Sequence, residues 1–528
     1  MNKIFIYDTT LRDGAQGEGV SFSDAGKLRI AKQLDLLGVD YIEGGFAASN
    51  PRDMAFFREI KKEKLTHAKI AAFGSTRRAH VSVGEDIGVR ALLEAKTPVC
   101  TFFGKSWRLH VTDVLKVPEK EALAMIADTV RVLKEHGKEV VFDAEHFFDG
   151  YKDSPEFARA ALTAALTAGA DCLCLCDTNG GTLPHEIAGI TAEVVRDFPV
   201  RVGIHTHNDG DCAVANALAA VRAGATQVQG TINGYGERCG NANLCSIVPG
   251  LVLKLGYTAL HEGSLKRLRE AALVVDEMAN LRPNRKAPYV GESAFAHKAG
   301  MHVDAVRKNP ATFEHVTPEA VGNQRRILVS ELSGASNVFL KVVEMGLALD
   351  KNAPEIKEIL RELERMEQHG YAFEAAEGSF QLLIQKVLKR HKPFFELQGF
   401  RVIVEKRHKD EPCISEATVK VAVDGETALT VGEGNGPVDA LDHALRKALM
   451  HFYPQIKDVS LTDYRVRILD PTEATAAKTR VVIESSDGTK TWGTVGVSPN
   501  IIEASWEALV DSVEYKLLQT EQQAKKKT

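Results

Sequence analysis

No run of apolar residues in this sequence is long enough to cross a bilayer, which excludes a helical membrane protein. Neither sign of charge dominates. The 66 Lys and Arg stand against 71 Asp and Glu, a net charge of -5, so nothing in the composition implies nucleic acid or an anionic membrane as partner. The 8 Cys include no C-x-x-C pair, which argues against a zinc knuckle, an iron–sulfur cluster or a disulfide framework. Before Asp8 there is one Lys and a very short apolar run, too little for a secretory signal, so the chain is read as cytosolic. No strand-like run is followed by G-x-G-x-x-G, which disfavours a dinucleotide fold. There is no G-x-x-x-x-G-K-[ST] P-loop and no A-M-K-M biotin site.

What is present is a rhythm. Short β-rich runs begin near Ile4, Asp40, Lys69, Thr97, Glu139, Asp171, Arg201 and Gln227, each followed by a longer amphipathic stretch that ends near Gly. Eight strand–helix units in the first 280 or so residues, the strands apolar on both faces, predict a closed (β/α)8 TIM barrel over residues 1–280. An open doubly wound sheet is the alternative. Residues 281–390 lose the rhythm and read as mostly helical linker subdomains. Residues 391–520 alternate like antiparallel strands and repeat a strand–strand–strand–helix unit, an α+β domain built by duplication. Residues 521–528, with three Lys, read as a solvated tail.

Parallel barrels carry their chemistry at the C-terminal ends of the strands. Polar residues collect there: Arg12 and Asp13, Glu43, Asp143 and Glu145, Asp177 and Thr178, then His205, His207, Asn208 and Asp209. His205 and His207 lie two apart on one strand, so both rings face the same way. Closure sets strand eight beside strand one, which brings Asp13, the two imidazoles and the Gly-rich loop Gly234–Asn243 together. Two imidazoles, a carboxylate and an amide such as Asn241 suit Mn²⁺ or Zn²⁺, and Mg²⁺ less comfortably. Each member has an ordinary alternative. H-x-H is common in strands, and Asp13 could cap a helix or pair with Arg12. In "CLCLC", Cys172, Cys174 and Cys176 point one way; small apolar packing is favoured over a soft-metal site.

Read together, "YDTTLRDGAQ", "IEGGF", "CDTNGG", "HTHNDGDCAVANALAA", "GYGERCGNANL" and "FAHKAGMHVDA" resemble the 2-isopropylmalate, homocitrate and citramalate synthases. The resemblance spans nearly the whole chain. "FDAEHFFDGYKDSPEFA" is most similar to the citramalate branch, which uses pyruvate. The resemblance implies a metal-dependent condensation of acetyl-CoA with a 2-oxo acid, followed by thioester hydrolysis. It implies a divalent ion on Asp13, His205, His207 and Asn241, with Mg²⁺ or Mn²⁺ expected and Zn²⁺ allowed. It implies Arg12 on the keto oxygen, Thr178 and Glu43 in the substrate region, and Glu145 and His302 as acid–base groups. It also implies a homodimer, with the segment carrying His302 reaching the neighbouring subunit, and a C-terminal amino-acid-binding regulatory domain with isoleucine as the effector by branch. His297 would only border the CoA site. Two positions depart or invite comparison. Phe313 stands where the family usually has a Tyr, and Phe cannot move a proton. Related acyl-CoA lyases carry a catalytic Cys in the glycine-rich loop, whereas Cys239 here is read as a small packing residue. The runner-up activity is the same chemistry on 2-oxoisovalerate, giving 2-isopropylmalate. An aldol-cleaving lyase would leave the C-terminal domain unexplained. From another class, the chain could be a metal-binding amino-acid sensor that has lost catalysis.

Overall fold

The computed structural model describes residues 3–49, 51–328, 338–339, 342–343, 350, 353–469 and 477–527. The chain divides into two units, Met1–Phe295 with Glu314–Arg325, and Ala296–Phe313 with Arg326–Thr528.

The first unit is a closed, all-parallel eight-stranded barrel. Its strands are β1 Phe5–Asp8, β2 Tyr41–Phe46, β3 Lys69–Ser75, β4 Val99–Lys105, β5 Glu139–Glu145, β6 Cys172–Asp177, β7 Arg201–Thr206 and β8 Gln227–Gly230. They follow the expected rhythm because each strand is covered on both faces. Ile6, Ile42, Phe102, Phe142, Leu173, Leu175, Ile204 and Val228 join the large cluster that includes the surrounding helices. Tyr7, Tyr41, Val99, Val141 and the three Cys of β6 form a separate inner cluster, with the rings of Tyr7 and Tyr41 stacked at 5.5 Å. Alternate residues of a strand serve the two layers, as the period of two requires. The helices start and stop on local signals. Asp24–Leu37 begins where the Ser23 side chain accepts from the Gly26 N–H at 3.0 Å and ends at Gly38, whose φ of 87° a larger residue adopts only with strain. Closure is direct: β8 pairs in parallel with β1, Tyr7 opposite Gln229 and Asp8 opposite Gly230.

The second unit opens with a two-stranded parallel pair, β9 Ala296–His297 and β10 Arg326–Ile327. Helices Gly300–Lys308, Pro354–Gln368 and Glu377–Val387 follow in the chain around and after these strands. Two antiparallel three-stranded sheets come next. The first is β11 Glu396–Glu405, β12 Ile414–Val423 and β13 Glu426–Gly434, followed by helix Pro437–Leu449. The second is β14 Ser460–Ile468, β15 Thr479–Ser486 and β16 Thr491–Ser498, followed by helix Ile501–Lys527. The duplication extends to single atoms. Thr430 Oγ1 donates to the Ala444 carbonyl at 2.7 Å, and Thr494 Oγ1 donates to the Ala508 carbonyl at 2.7 Å. A Cβ on Gly432 would lie 2.5 Å from the Ala444 nitrogen, and one on Gly496 would lie 2.1 Å from the Ala504 carbonyl. In both repeats a Thr-x-Gly strand therefore lets an Ala-faced helix press against the sheet. The residues read as a tail continue the last helix, which runs to Lys527. Among the described residues no helix is long and apolar enough to cross a membrane.

Candidate metal centre at the mouth of the barrel

β1 ends at Asp8, so Arg12 and Asp13 lie in the turn beyond it rather than on the strand itself. The Thr9 carbonyl shapes that turn by accepting the N–H groups of Arg12, Asp13 and Gly14 at 2.9–3.1 Å. The turn points Asp13 at β7. Asp13 Oδ2 lies 3.3 Å from His205 Nε2 and 4.0 Å from His207 Nε2, and the two Nε2 atoms are 3.3 Å apart. His207 sits just past β7, in an isolated antiparallel bridge to Asn241. That bridge brings the Asn241 amide to Asp13, and its Nδ2 donates to Oδ2 at 2.7 Å. The four residues named from the sequence are thus assembled and all are buried.

A divalent cation fits this group. The Asn241 Oδ1 acceptor is buried with no partner, and carboxylate, amide and imidazole donors converge without a thiolate. Burial alone would raise the Asp13 carboxyl. Arg12 and the two imidazoles outweigh it and hold the group well below the usual carboxylate range, so it stands ionised. Burial and the neighbouring His205 push His207 down to about 3, so its ring stands neutral with a free lone pair.

The glycine loop serves Asn241. Gly240 has φ of 90°, and a Cβ there would lie 2.1 Å from the Gly234 carbonyl. A Cβ on Gly236 would lie 2.6 Å from Asn241 Oδ1. Side chains at either place would displace the amide. Cys239, in the same loop, is exposed. It therefore does not pack as the sequence reading had it, because the turn that buries Asn241 swings its neighbour outward.

Sequence reasoning missed the support beneath His205. The ring Nδ1 lies 3.0 Å from Gln229 Oε1, and Gln229 Nε2 donates to Asp143 Oδ1 at 2.9 Å. The Gln amide thereby keeps the His205 proton on Nδ1 and leaves Nε2 facing the centre. Burial, with Glu43 nearby, pushes the Asp143 carboxyl up to about 7. Gln229→Met is expected to weaken Mn²⁺ binding about 10–100-fold, with turnover recovering at high Mn²⁺. Equilibrium titration of the folded variant measures this; an unchanged dissociation constant would show that His205 needs no such support. Asp143, Cys174 and Cys176 also approach one another within 4.8 Å. Burial pushes the Cys176 thiol up to about 11 and that of Cys174 higher still, so both are protonated fillers of the inner layer at neutral pH.

Arg12 is held on three sides. Its Nε donates to Glu43 Oε2 at 2.5 Å, its Nη1 lies 3.3 Å from Asp13 Oδ1, and its guanidinium covers the Phe73 ring at 3.8 Å. Glu43 is fully buried, and its other oxygen accepts from the Tyr7 hydroxyl at 2.9 Å. Both Glu43 oxygens are thus engaged by the protein, and Glu43 orients Arg12. Burial opposes the Arg12 charge, but Asp13 and Glu43 overcome it and keep the group a cation. Glu145, at the end of β5, has Oε2 bonded to Lys105 Nζ, its cross-strand partner. Thr178 follows β6, and its Oγ1 accepts the His146 N–H at 2.9 Å. His302 belongs to the second unit, on helix Gly300–Lys308, where its ring stacks on Phe313 at 4.1 Å. His297 is buried in β9.

Three family profiles match the chain in succession. One described as HMGL-like covers residues 3–275, one described as homocitrate synthase post-HMGL domain-like covers 289–370, and the LeuA allosteric (dimerisation) domain covers 374–517. A protein of Geobacter sulfurreducens named (R)-citramalate synthase is 54% identical over 522 residues, covering 99% of each chain. One of Aquifex aeolicus with the same name is 55% identical, again over 99% of each. A protein of Methanocaldococcus jannaschii named 2-isopropylmalate synthase is 31% identical over 97% of this chain and 94% of its own.

Proposed function

Since this chain belongs to the (R)-citramalate synthases, within the HMGL-like enzymes, we propose that it condenses acetyl-CoA with pyruvate and hydrolyses the thioester, releasing (R)-citramalate and CoA as a step towards isoleucine. The observation that carries the reading is the convergence of Asp13, His205, His207 and Asn241 with Arg12 beside them. The family's enzymes are metal dependent; Mg²⁺ or Mn²⁺ is the ion proposed here, with Zn²⁺ as the alternative. Asp13, His205, His207 and Asn241 would hold it, and when bound it supplies Lewis-acid polarisation of the 2-oxo group.

The chain's own residues do the rest. Thr178 hydrogen-bonds the substrate carboxylate through its hydroxyl. Arg12 donates to the keto oxygen and stabilises the negative charge that grows there as the carbon–carbon bond forms. Its guanidinium is already desolvated and aimed by Glu43 and Phe73, so little reorganisation is needed. Glu145, oriented by Lys105, exchanges the proton of the acetyl methyl group. His302, from the linker of the neighbouring subunit, assists in that acid–base work. Phe313 supplies a stacking surface for the His302 ring and no proton.

The C-terminal unit is the seat of dimerisation and amino-acid control, as its LeuA match suggests. Exposed Leu429 and Val431 on β13, an edge strand of the first sheet, and exposed Val466 and Ile468 on β14, an edge strand of the second, support a homodimer, since apolar side chains on open edge strands are otherwise left in water. We place the enzyme in the cytoplasm, with isoleucine as effector.

The test is thiol release by the purified protein with acetyl-CoA, Mn²⁺ or Mg²⁺ and a panel of 2-oxo acids. Pyruvate is expected to be used at least tenfold more efficiently than 2-oxoisovalerate, with citramalate as product. Preference for 2-oxoisovalerate would move the assignment to 2-isopropylmalate synthesis. No release with any acid, from protein that still responds to isoleucine, would favour a sensor.

A further inference from the structure

The proposed reaction has a second half that no residue named so far serves. After condensation, water attacks the thioester carbonyl and must give up a proton. That carbonyl carbon is bonded to the carbon that Glu145 deprotonates, so a base for the water belongs close to Glu145. The next residue in the chain is His146. Successive strand residues point to opposite faces, so a simple continuation of β5 would send residue 146 to the face away from Glu145. Instead His146 has φ of 56°, a left-handed conformation uncommon outside glycine. Strain of this kind gathers at functional sites. The turn keeps His146 among the segments that follow β4, β5 and β6, at the mouth of the barrel. Its N–H donates to Thr178 Oγ1 at 2.9 Å, the hydroxyl proposed to hold the substrate carboxylate. Its ring lies 4.3 Å from that of His110 and 5.7 Å from that of Trp107. His146 is only 9% exposed, yet its Nδ1 is buried without a hydrogen-bond partner. Asp149 Oδ2 stands 3.6 Å from that nitrogen and is itself held by Asn179 Nδ2 at 2.9 Å. Catalytic hydrogen bonds are often this long before substrate arrives. The His146 ring, against burial and helped by Lys152, holds the Asp149 carboxyl below its usual range, so it stands ionised. Burial and His146 push His110 down, so the ring stacked on His146 is neutral. A proton arriving on His146 therefore meets no cation in that stack.

We propose that His146, with Asp149 behind it, is the base of the hydrolytic half-reaction, an inference that rests on the condensing-enzyme reading. Nδ1–H donates to Asp149, which fixes the tautomer and leaves the Nε2 lone pair for water. As the water oxygen bonds to the thioester carbonyl carbon, Nε2 takes one of the water protons. The carbon–sulfur bond then breaks, and its electron pair leaves on sulfur. The imidazolium returns its proton to the thiolate, which departs as the CoA thiol. The new carboxylic acid loses the second water proton to solvent. Glu145 and His146 thus divide the two halves, one at the methyl carbon and the other at the carbonyl carbon beside it.

The experiment is a single turnover with the full-length protein in excess over acetyl-CoA, at saturating pyruvate and Mn²⁺. Samples are quenched in acid, and acetyl-CoA, citramalyl-CoA and CoA are separated and counted. His146→Gln keeps a polar side chain of similar reach, and His146→Gly keeps the left-handed backbone while removing the ring. Both are expected to consume acetyl-CoA at nearly the wild-type rate. Citramalyl-CoA should accumulate in each, with CoA appearing about 10²-fold or more slowly than in the wild type. Added imidazole should speed CoA release from the His146→Gly enzyme and not from His146→Gln, which has no space for it. Asp149→Asn should also accumulate citramalyl-CoA, to a smaller extent. CoA release at the wild-type rate from either His146 variant would overturn the proposal. So would equal slowing of acetyl-CoA consumption and CoA release in both, which would put the ring in condensation or in packing. No accumulation in Asp149→Asn would remove Asp149 from the pair. Wild-type protein that consumes no acetyl-CoA with pyruvate would sink the condensation reading and this step with it, whereas the variant outcomes touch His146 alone.

Discussion

Asp13→Ala is expected to abolish turnover and divalent-metal binding together. The carboxylate is the only anionic member of its group and touches the other three members, at 3.3 and 4.0 Å from the imidazoles and 2.7 Å from the Asn241 amide. It also lies 3.3 Å from Arg12. Removing it takes the one negative charge out of the four-residue group that is to hold a divalent cation and leaves the buried Arg12 guanidinium without one of its two carboxylate neighbours. A Lewis acid at a carbonyl is worth several kcal/mol of transition-state stabilisation, so the loss is on the order of 10³-fold or more in kcat/KM. Mn²⁺ binding, followed by electron paramagnetic resonance of the free ion, should fall in parallel. Asp13→Asn is the control for folding, since it keeps the shape and the contact to Asn241. A folded Ala variant that retains both Mn²⁺ and turnover would show that the centre lies elsewhere.

The barrel was readable because each strand is a short apolar run covered on both faces, and because closure makes distant residues neighbours. Asp13 and His205 are far apart in sequence. Once β8 pairs with β1 and with β7, the turn after β1 must face the end of β7. The period of two then puts His205 and His207 on one face. What was not readable depends on register and on turns. Gln229 looks like an ordinary polar residue in a short strand. Only its position opposite Tyr7 turns it inward, where Asp143 and His205 can share its amide. The Lys105–Glu145 pair likewise exists because those residues are cross-strand partners, which spacing alone cannot reveal. Glu43 was visible as a polar strand residue near the substrate region. Its engagement by both Tyr7 and Arg12 needed side-chain positions. The exposure of Cys239 follows from the conformation of Gly240, a property of the backbone rather than of composition.

Mixing two inactive variants is expected to restore activity. Asp13→Ala destroys the metal centre of its own barrel but leaves its linker intact. His302→Ala leaves its barrel intact but removes the imidazole that, in the proposed arrangement, acts on the neighbour. In a mixed dimer one barrel then combines an intact Asp13 with an intact His302 from the other chain. Random exchange makes half of the dimers mixed and half of the sites in those dimers whole, so about a quarter of the wild-type rate should return. Each variant alone should be silent, His302→Ala through lost proton transfer, an effect of roughly 10²–10⁴-fold. The stacking of His302 on Phe313 sharpens the prediction. Phe313→Ala removes the ring that orients the imidazole and should lower kcat with little change in metal affinity. Phe313→Tyr keeps the ring and should retain activity. Co-expression with two different affinity tags isolates the mixed dimer for assay. No recovery in a verified mixed dimer would mean that Asp13 and His302 serve the same site from one chain. A fully active His302→Ala homodimer would remove His302 from the chemistry and leave Glu145 to handle the methyl proton alone.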